Sequence, residues 1–350
     1  MSTEIWLHGF PVPRQAVDLA VRAEAWGFDG LLLADSENLV GDPYVELALA
    51  ARATERLRLG PAVTNPVTRH PAVTASAVAT LQIESGGRAV VVLGRGDSAV
   101  RQIGLRPATT EELARGLRQL QGFLRGEDVA SASGASARMP WIEPFRAGEV
   151  PVSVAATGPV TIALGARHGG RVDFTVGADP RRVSWAVGEA RSAAHGSGTR
   201  LSLGAFVNVA VHSDVAVARA LVRGSAAIFA HFVSEGPHDV VPDDDRAVVA
   251  RVGAAYDEAT HGLTTADHAR LLPDDFLDRF AVVGPPEHCV ARLLALADLG
   301  LDRIIVVPGS RDAEPRSLAA SDELFATEVL PRLRTGIPGP SSGRDAEASR

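Results

Sequence analysis

The feature that most constrains this chain is an alternation, repeated eight times, of short apolar, β-branched runs with longer stretches of helical spacing. A parallel strand needs a crossover before its neighbour can begin, so this alternation points to a parallel sheet with its helices outside. Strands are predicted at residues 4–10, 30–35, 57–63, 89–94, 152–157, 173–177, 203–211 and 303–308. Helices are predicted at 14–26, 43–54, 71–84, 110–124, 159–168, 180–195 and 286–299. Pro43, Pro71, Pro159, Pro180 and Pro286 stand in first helical turns, where a missing N–H is tolerated. Gly27, Gly169, Gly170 and Gly300 follow apolar-periodic segments, where a left-handed residue ends a helix. Eight strands in strict alternation favour a closed (β/α)8 TIM barrel over an open doubly wound sheet. No G-x-G-x-x-G follows the first strand, which weakens the dinucleotide-binding alternative.

Two stretches break the repeat. Residues 126–148, rich in Ala, Ser, Gly and Arg, read as a loop or short hairpin. Residues 213–279 are too long for one crossover and combine the helical AVARALVRGSAAIFAHFV with an acidic PDDD run and further helical pieces. The Pro, Gly and Ser content of 336–350 is that of a disordered end. The expectation is one barrel domain over 1–335, carrying two insertions, and a tail.

Composition narrows the partners. With 350 residues, 46% of them hydrophobic, the chain can bury a core of barrel size. Its 35 Lys and Arg against 42 Asp and Glu leave a net charge of −7, which offers no basic surface to nucleic acid or anionic lipid. The single Cys289 excludes an internal disulfide, and neither Cys nor His residues show zinc-ligand spacing, so a metal-free site in a reducing cytoplasm is expected. The N-terminus has no basic, apolar export signal, and no uninterrupted apolar stretch suggests a membrane span.

Barrel chemistry is built at strand C-termini, and here those ends are polar. They deliver His8 and Gly9, then Asp35 and Ser36, then Thr64 and Asn65, then Gly94, Arg95, Gly96, Asp97 and Ser98. The later strands deliver Ala156, Thr157, Gly158 and Pro159, then Gly177, and finally Pro308, Gly309 and Ser310. The glycine turns after strands four, five and six let backbone approach a ligand, and the following helices favour a phosphate; each also reads as an ordinary tight turn. Asp35, behind the apolar GLLLA, reads either as a carboxylate that orients a ring or moves a proton, or as an N-cap or salt-bridge partner. Asp97 reads as a helix cap or a general acid facing substrate, with Ser98 the better candidate for capping. His8 suits proton transfer near neutrality and equally a hydrogen-bonded lining role. Arg69 and His70 read as solvated or as binders of an anionic tail. His231, on an apolar helix, reads as structural.

At these residues the chain resembles the luciferase-like monooxygenase superfamily, most closely its methylenetetrahydromethanopterin reductase branch. The resemblance runs from Ile5 to Pro308 and is densest from Gly27 to Gly104, through LGPAVTNPVTRHPA and LGRGDSA; it resumes at PVSVAATGP and at FAVVGPPEHCVARLLALADLGLDRIIVV. It implies a barrel enzyme that binds the deazaflavin F420, or FMN, at the barrel mouth with its phosphate tail on the βα turns. It implies a non-prolyl cis peptide at Ala62-Val63 behind the ring, with Thr64 and Asn65 following it into the pocket. Asp35 and Asp97 fall on acidic positions of the family motifs, and Gly96, Thr157, Gly158 and Gly177 on turns that supply backbone donors. Many relatives carry Asp-His where this chain has Asp35-Ser36, so a histidine proton donor is missing there, and His8 is the candidate to replace it. The implied reaction is hydride transfer between F420 and a small organic substrate. The alternatives are an FMN-dependent monooxygenase served by a flavin reductase, and a flavin-binding barrel without catalysis. Relatives suggest a homodimer.

Overall fold

The computed structural model describes residues 3–130, 134–145, 148–196, 200–236 and 241–336. The expected disordered tail lies, apart from Gly336, outside them. Eight parallel strands form the barrel: Glu4–Gly9, Gly30–Leu33, Arg58–Pro61, Val91–Leu93, Val152–Ala156, Arg171–Phe174, Ser202–Val211 and Arg303–Val307. The paired ladders run third, second, first, eighth, seventh, sixth, fifth, fourth. The remaining seam is joined by bridges from Leu59 to Ala89 and from Thr64 to Leu93, with hydrogen bonds that include Val90 N–H to Leu59 O at 2.9 Å and Thr64 N–H to Val92 O at 3.0 Å. The predicted barrel is the one observed.

Its strands are buried on both faces, as strands between a barrel core and outer helices must be. Because side chains alternate along a strand, Trp6, Leu32, Val92 and Ile305 meet in one cluster, while Leu7, Leu31, Leu33 and Ile304 join the cluster shared with the helices. Asp173, on the sixth strand, accepts hydrogen bonds from the Arg303 guanidinium at 2.7 and 3.1 Å, and both side chains are buried. This ion pair explains a misplaced boundary. The sequence places the sixth strand at 173–177, whereas it runs Arg171–Phe174, with Asp173 buried inside it because Arg303 of the eighth strand supplies the partner charge.

The prolines and most of the glycines behave as their chemistry predicts: Gly170 and Gly300 are left-handed, whereas Gly169, expected to be so, lies inside a π turn without a positive φ. Pro43, Pro71, Pro159, Pro180 and Pro286 open helices, and Gly27 ends the first helix in the left-handed conformation. The helix implied by the capping readings of Asp97 and Ser98 is the five-residue Ser98–Gln102, and the helix opening at Pro159 passes into a π turn, Gly165–Gly169. In the first insertion, Val129–Ala130 pairs with Ser136–Ala137 as a minimal hairpin.

The second insertion holds helices Val215–Ser234, Asp243–Ala254, Asp267–Arg270 and Asp274–Phe280. It ends in a strand absent from the sequence prediction, Val282–Gly284, which pairs with Val209, Ala210 and Val211 of the long seventh strand. Val215–Ser234 corrects another expectation: at 20 residues it is long and apolar enough to cross a membrane by length and composition. Here its apolar residues instead pack within the fold, with Leu221, Val222, Ala226, Ala230 and Val233 buried.

Candidate active site

A cavity of about 470 Å³ opens over the strand C-termini, where barrel sites form. The sequence-predicted residues His8, Asp35, Ser36, Ala62, Val63, Gly94, Arg95, Gly96, Asp97, Ser98, Thr157, Gly158 and Pro159 all line it. The Ala62-Val63 peptide is cis, as the resemblance implied. Phe10, Phe206, Ile228, Phe229 and Phe232 add an apolar wall, partly supplied by the insertion helix.

Four predicted residues stand elsewhere. Thr64 is fully buried and accepts a hydrogen bond from the Tyr44 hydroxyl at 3.1 Å. Asn65 is buried, and its Oδ1 accepts from Val67 and Thr68 N–H, so it shapes the turn after the third strand. Ala156 is buried in the helix-side core. Gly177 packs on Phe280: a Cβ there would lie 2.6 Å from the ring, and its φ of +78° suits glycine, which accounts for the residue without a ligand. Arg69 and His70 are also not on the wall. Arg69 pairs with Asp42 over the Tyr44 ring, and His70 Nδ1 caps the helix Pro71–Glu84.

Asp35 is the most exposing test of the site. It follows the second strand, only 2% exposed, and neither carboxylate oxygen has a hydrogen-bond partner among the described residues. It is neither the N-cap nor the salt-bridge partner that the alternative reading allowed. Burial raises its pKa to about 6, with the nearby Thr64 hydroxyl partly offsetting this. Buried acceptors are rarely left unpaired, so these two oxygens mark a place for a donor from a ligand.

His8 is committed differently. Its Nε2 lies 3.0 Å from the Ala62 carbonyl, which requires an N–H at that nitrogen, and desolvation lowers its pKa to about 4. At neutral pH it is therefore an uncharged lining group whose donor is taken, which favours orientation over proton donation.

The fourth-strand turn is shaped by Gly96, whose φ is +74° and whose Cβ would lie 2.4 Å from Val100. Arg95 is anchored by Nε to the Ala108 carbonyl at 2.7 Å. Gly158 has nothing within 4 Å of a Cβ position, so backbone is bared there to open space. The adjacent Thr157 hydroxyl meets Thr175 at 2.6 Å. Asp97 occupies the N-cap position of Ser98–Gln102 without making a side-chain cap. Ser98 does not cap either, which corrects the expectation: it lies inside the helix, and its hydroxyl turns to His261 Nε2 at 3.3 Å.

Around Asp97 the structure assembles a polar network that the sequence reading missed. Asp97 accepts from Arg101 Nε at 2.7 Å, and its other oxygen lies 3.5 Å from His231 Nε2. Arg101 also binds Glu235 at 2.8 Å and stands 3.6 Å from Glu258. Burial pushes the Asp97 pKa up, but His231 and Arg101 outweigh it and hold the group below its ordinary value. Burial and the Asp97 charge raise Glu258 to about 7. Asp97, His231 and Glu235 offer donor atoms within 4.8 Å of one another, as a metal would require, but Arg101 already supplies the positive charge between the two carboxylates. His231 is the residue the sequence assigned to structure for want of a paired ligand, and Glu235, four positions on at the C-cap of the same helix, carried no signal of its own.

Fold and site together define a barrel enzyme with a ligand pocket at its strand ends. The chain belongs to the family described as luciferase-like monooxygenase, which matches residues 2–303. It is 30% identical to 5,10-methylenetetrahydromethanopterin reductase of Methanolobus tindarius, over 81% of this chain and 86% of that protein. It is 29% identical to F420-dependent glucose-6-phosphate dehydrogenase of Intrasporangium calvum, over 92% of this chain and 95% of that one. The solved structure of coenzyme F420-dependent tetrahydromethanopterin reductase from Methanopyrus kandleri superposes with a TM-score of 0.72 at 22% identity, covering 95% of this chain and 100% of the other. The oxygenating constituent of 3,6-diketocamphane monooxygenase from Pseudomonas putida, in complex with FMN, gives 0.66 at 17%, covering 95% and 99%.

Proposed function

We propose that this protein is an F420-dependent oxidoreductase that transfers a hydride between the deazaflavin and a small organic substrate. The observation that carries the reading is Asp35, buried on the cavity wall with both oxygens unpartnered. Relatives named for F420 support that cofactor. The residues fit such a group. Asp35 would accept from its ring, Ala62 and Val63 would back it, and the turns of Gly94, Arg95, Gly96, Gly158 and Pro159 would hold its tail. When bound, F420 supplies the hydride chemistry. The chain's own part is to orient, to exclude water with Phe206, Ile228 and Phe229, and to set charge around the reacting atoms.

Titration of apoprotein with F420 and with FMN, followed by fluorescence, tests the assignment. We expect submicromolar binding of F420 and weaker binding of FMN. Submicromolar FMN binding with none of F420 overturns it in favour of a monooxygenase working with a flavin reductase. Binding of F420 without reduction of any enone, imine or nitro compound favours the non-catalytic reading.

The enzyme is proposed to work in the cytoplasm as a homodimer. Val45, Leu49 and Val73 are 60%, 52% and 52% exposed on the neighbouring helices Pro43–Ala53 and Pro71–Glu84, an apolar surface that a second copy would cover. Sedimentation equilibrium should give twice the chain mass, falling towards the monomer on Leu49→Glu; a monomeric wild type refutes the dimer.

A further inference from the structure

The cavity wall carries a cation that the cofactor reading leaves unused. Arg95 belongs to the turn after the fourth strand, whereas Arg311 follows the eighth and lines the cavity beside the insertion. The Arg311 stem lies on Gly262, whose φ is +74° and whose Cβ would stand 3.1 Å from Arg311 Cδ and 3.3 Å from Ile228 Cδ1. Two successive carbonyls clamp the residue: its backbone N–H donates to Gly262 O at 3.0 Å, and its Nη1 donates to His261 O at 2.8 Å. The guanidinium is thereby fixed at one corner. Among the described residues Nε and Nη2 have no hydrogen-bond partner, neither atom is sealed from solvent, and no carboxylate pairs with the group. Nε and Nη2 form the edge of a guanidinium that can grip both oxygens of an acid at once.

We propose that Arg311 binds a carboxylate of the substrate, so that the substrate is a small organic acid whose apolar body lies against Phe206, Ile228 and Phe229. The inference rests on the hydride-transfer reading and names the substrate class for it. The acids of the cavity do not occupy Arg311: Asp97 and Glu235 are held by Arg101, and Asp35 stands after the second strand. The apolar wall strengthens a charge-assisted bond made beside it. Around the closed ring of strands the fourth and eighth are opposite one another, so Arg311 faces the cavity from the side away from the Arg95 turn that would hold the cofactor tail. One charge and one open edge match a carboxylate, whereas a phosphate brings a third oxygen and more charge than Arg311 alone answers.

The turn that carries Arg311 is held in place without the guanidinium. On one side, Ser310 Oγ accepts from Gly224 N–H at 2.9 Å and from Ser225 N–H at 3.1 Å. On the other, Asp312 accepts from Thr264 N–H at 2.7 Å and from its hydroxyl at 3.0 Å. Together with the Arg311 backbone bond, these contacts stitch the turn to the insertion. Arg311→Met therefore removes the charge and the fork while the turn stays, and its melting temperature should remain within about 4 °C of wild type.

Calorimetric titration with 2-naphthoate and with the neutral 2-naphthamide tests the site without turnover. Naphthoate should bind about ten- to a hundredfold more tightly, the range of a hydrogen bond to a charged group. Arg311→Met should lose that preference while the naphthamide affinity stays within about twofold of wild type, and Arg311→Lys, which keeps the charge without the fork, should fall between. Equal affinities in the wild type, or a preference that Arg311→Met retains, overturn the proposal. Tighter binding of 2-naphthyl phosphate than of naphthoate, lost in Arg311→Met, overturns the carboxylate in favour of a phosphate. With reduced F420 as donor, 3-benzoylacrylate should show a KM about ten- to a hundredfold below that of its methyl ester, a gap that Arg311→Met erases. Oxidation of reduced F420 with equal KM for acid and ester refutes the acid site and leaves the hydride-transfer reading standing. Selective naphthoate binding at Arg311, with no oxidation of reduced F420 by any acceptor, does the converse.

Discussion

Asp35→Ala should lower cofactor affinity or turnover about ten- to a hundredfold without lowering the melting temperature. A hydrogen bond to a charged, desolvated acceptor is worth about 1.5–3 kcal/mol, which corresponds to that range of affinity. The two free oxygens of Asp35 provide such an acceptor for a ligand but make no bond that holds the fold. Their effect on stability has a definite sign. The folded pKa of about 6 lies above the unfolded value, so the contribution of Asp35 is fully present below the ordinary carboxylate range and is lost as pH rises through about 6. Asp35→Asn removes the ionisation, so its melting temperature should gain on that of wild type across this interval and hold the gain above it. Calorimetry over the interval and cofactor titration at neutral pH make the comparison. Unchanged affinity and rate in Asp35→Ala would remove the residue from the site.

Asp173→Ala should do the reverse, weakening the fold and sparing the pocket. The Arg303 guanidinium, 2% exposed as a residue, would be left without its carboxylate. Removing one partner of a buried pair costs about 3–5 kcal/mol. At roughly 2–4 °C per kcal/mol for a chain of this size, the melting temperature should fall by on the order of 10 °C. Ser202, which accepts from Arg303 Nη1 at 2.7 Å, cannot neutralise the charge. Replacing both partners, Asp173→Leu with Arg303→Met, should recover much of the loss, because the desolvation cost disappears together with the attraction. Cofactor affinity, measured while the single variant is still folded, should stay within about twofold of wild type, since neither residue lines the cavity. A melting temperature within a degree or two of wild type would show that the barrel floor tolerates the unpaired charge.

These two aspartates show what was legible in the sequence. Asp35 was readable because an apolar run ended on an acid at the chemical end of a strand. Asp173 was misread as the start of a strand because its partner lies 130 positions away. The barrel itself followed from alternation, and helix starts followed from proline, because both are local properties. The strand Val282–Gly284 was missed because its three residues carry too little pattern, and only pairing with the seventh strand makes it one. The same limit hid half of the site. Glycine turns are short-range signals, and most of those predicted line the cavity. His231, Glu235, Glu258 and His261 carry no motif, and they become neighbours of Asp97 and Ser98 only once the insertion has folded back over the mouth.

That return has a further consequence. The insertion leaves the barrel after Val211 and comes back at Val282–Gly284, which lies parallel to Val209–Val211, and His212 N–H binds the Gly284 carbonyl at 2.9 Å. Its two ends are thus clasped side by side. The entropy of closing a loop grows only with the logarithm of its length, so a segment entered and left through one clasp can change size at little cost to the rest. The turns that would cradle a cofactor belong to the short, repetitive half of the molecule, whereas Phe229, Phe232, Glu258 and His261 belong to the clasped segment. Trading everything between the clasp residues is therefore expected to replace the cavity wall of Phe229 and Phe232 while the turns after the fourth and fifth strands keep their conformation.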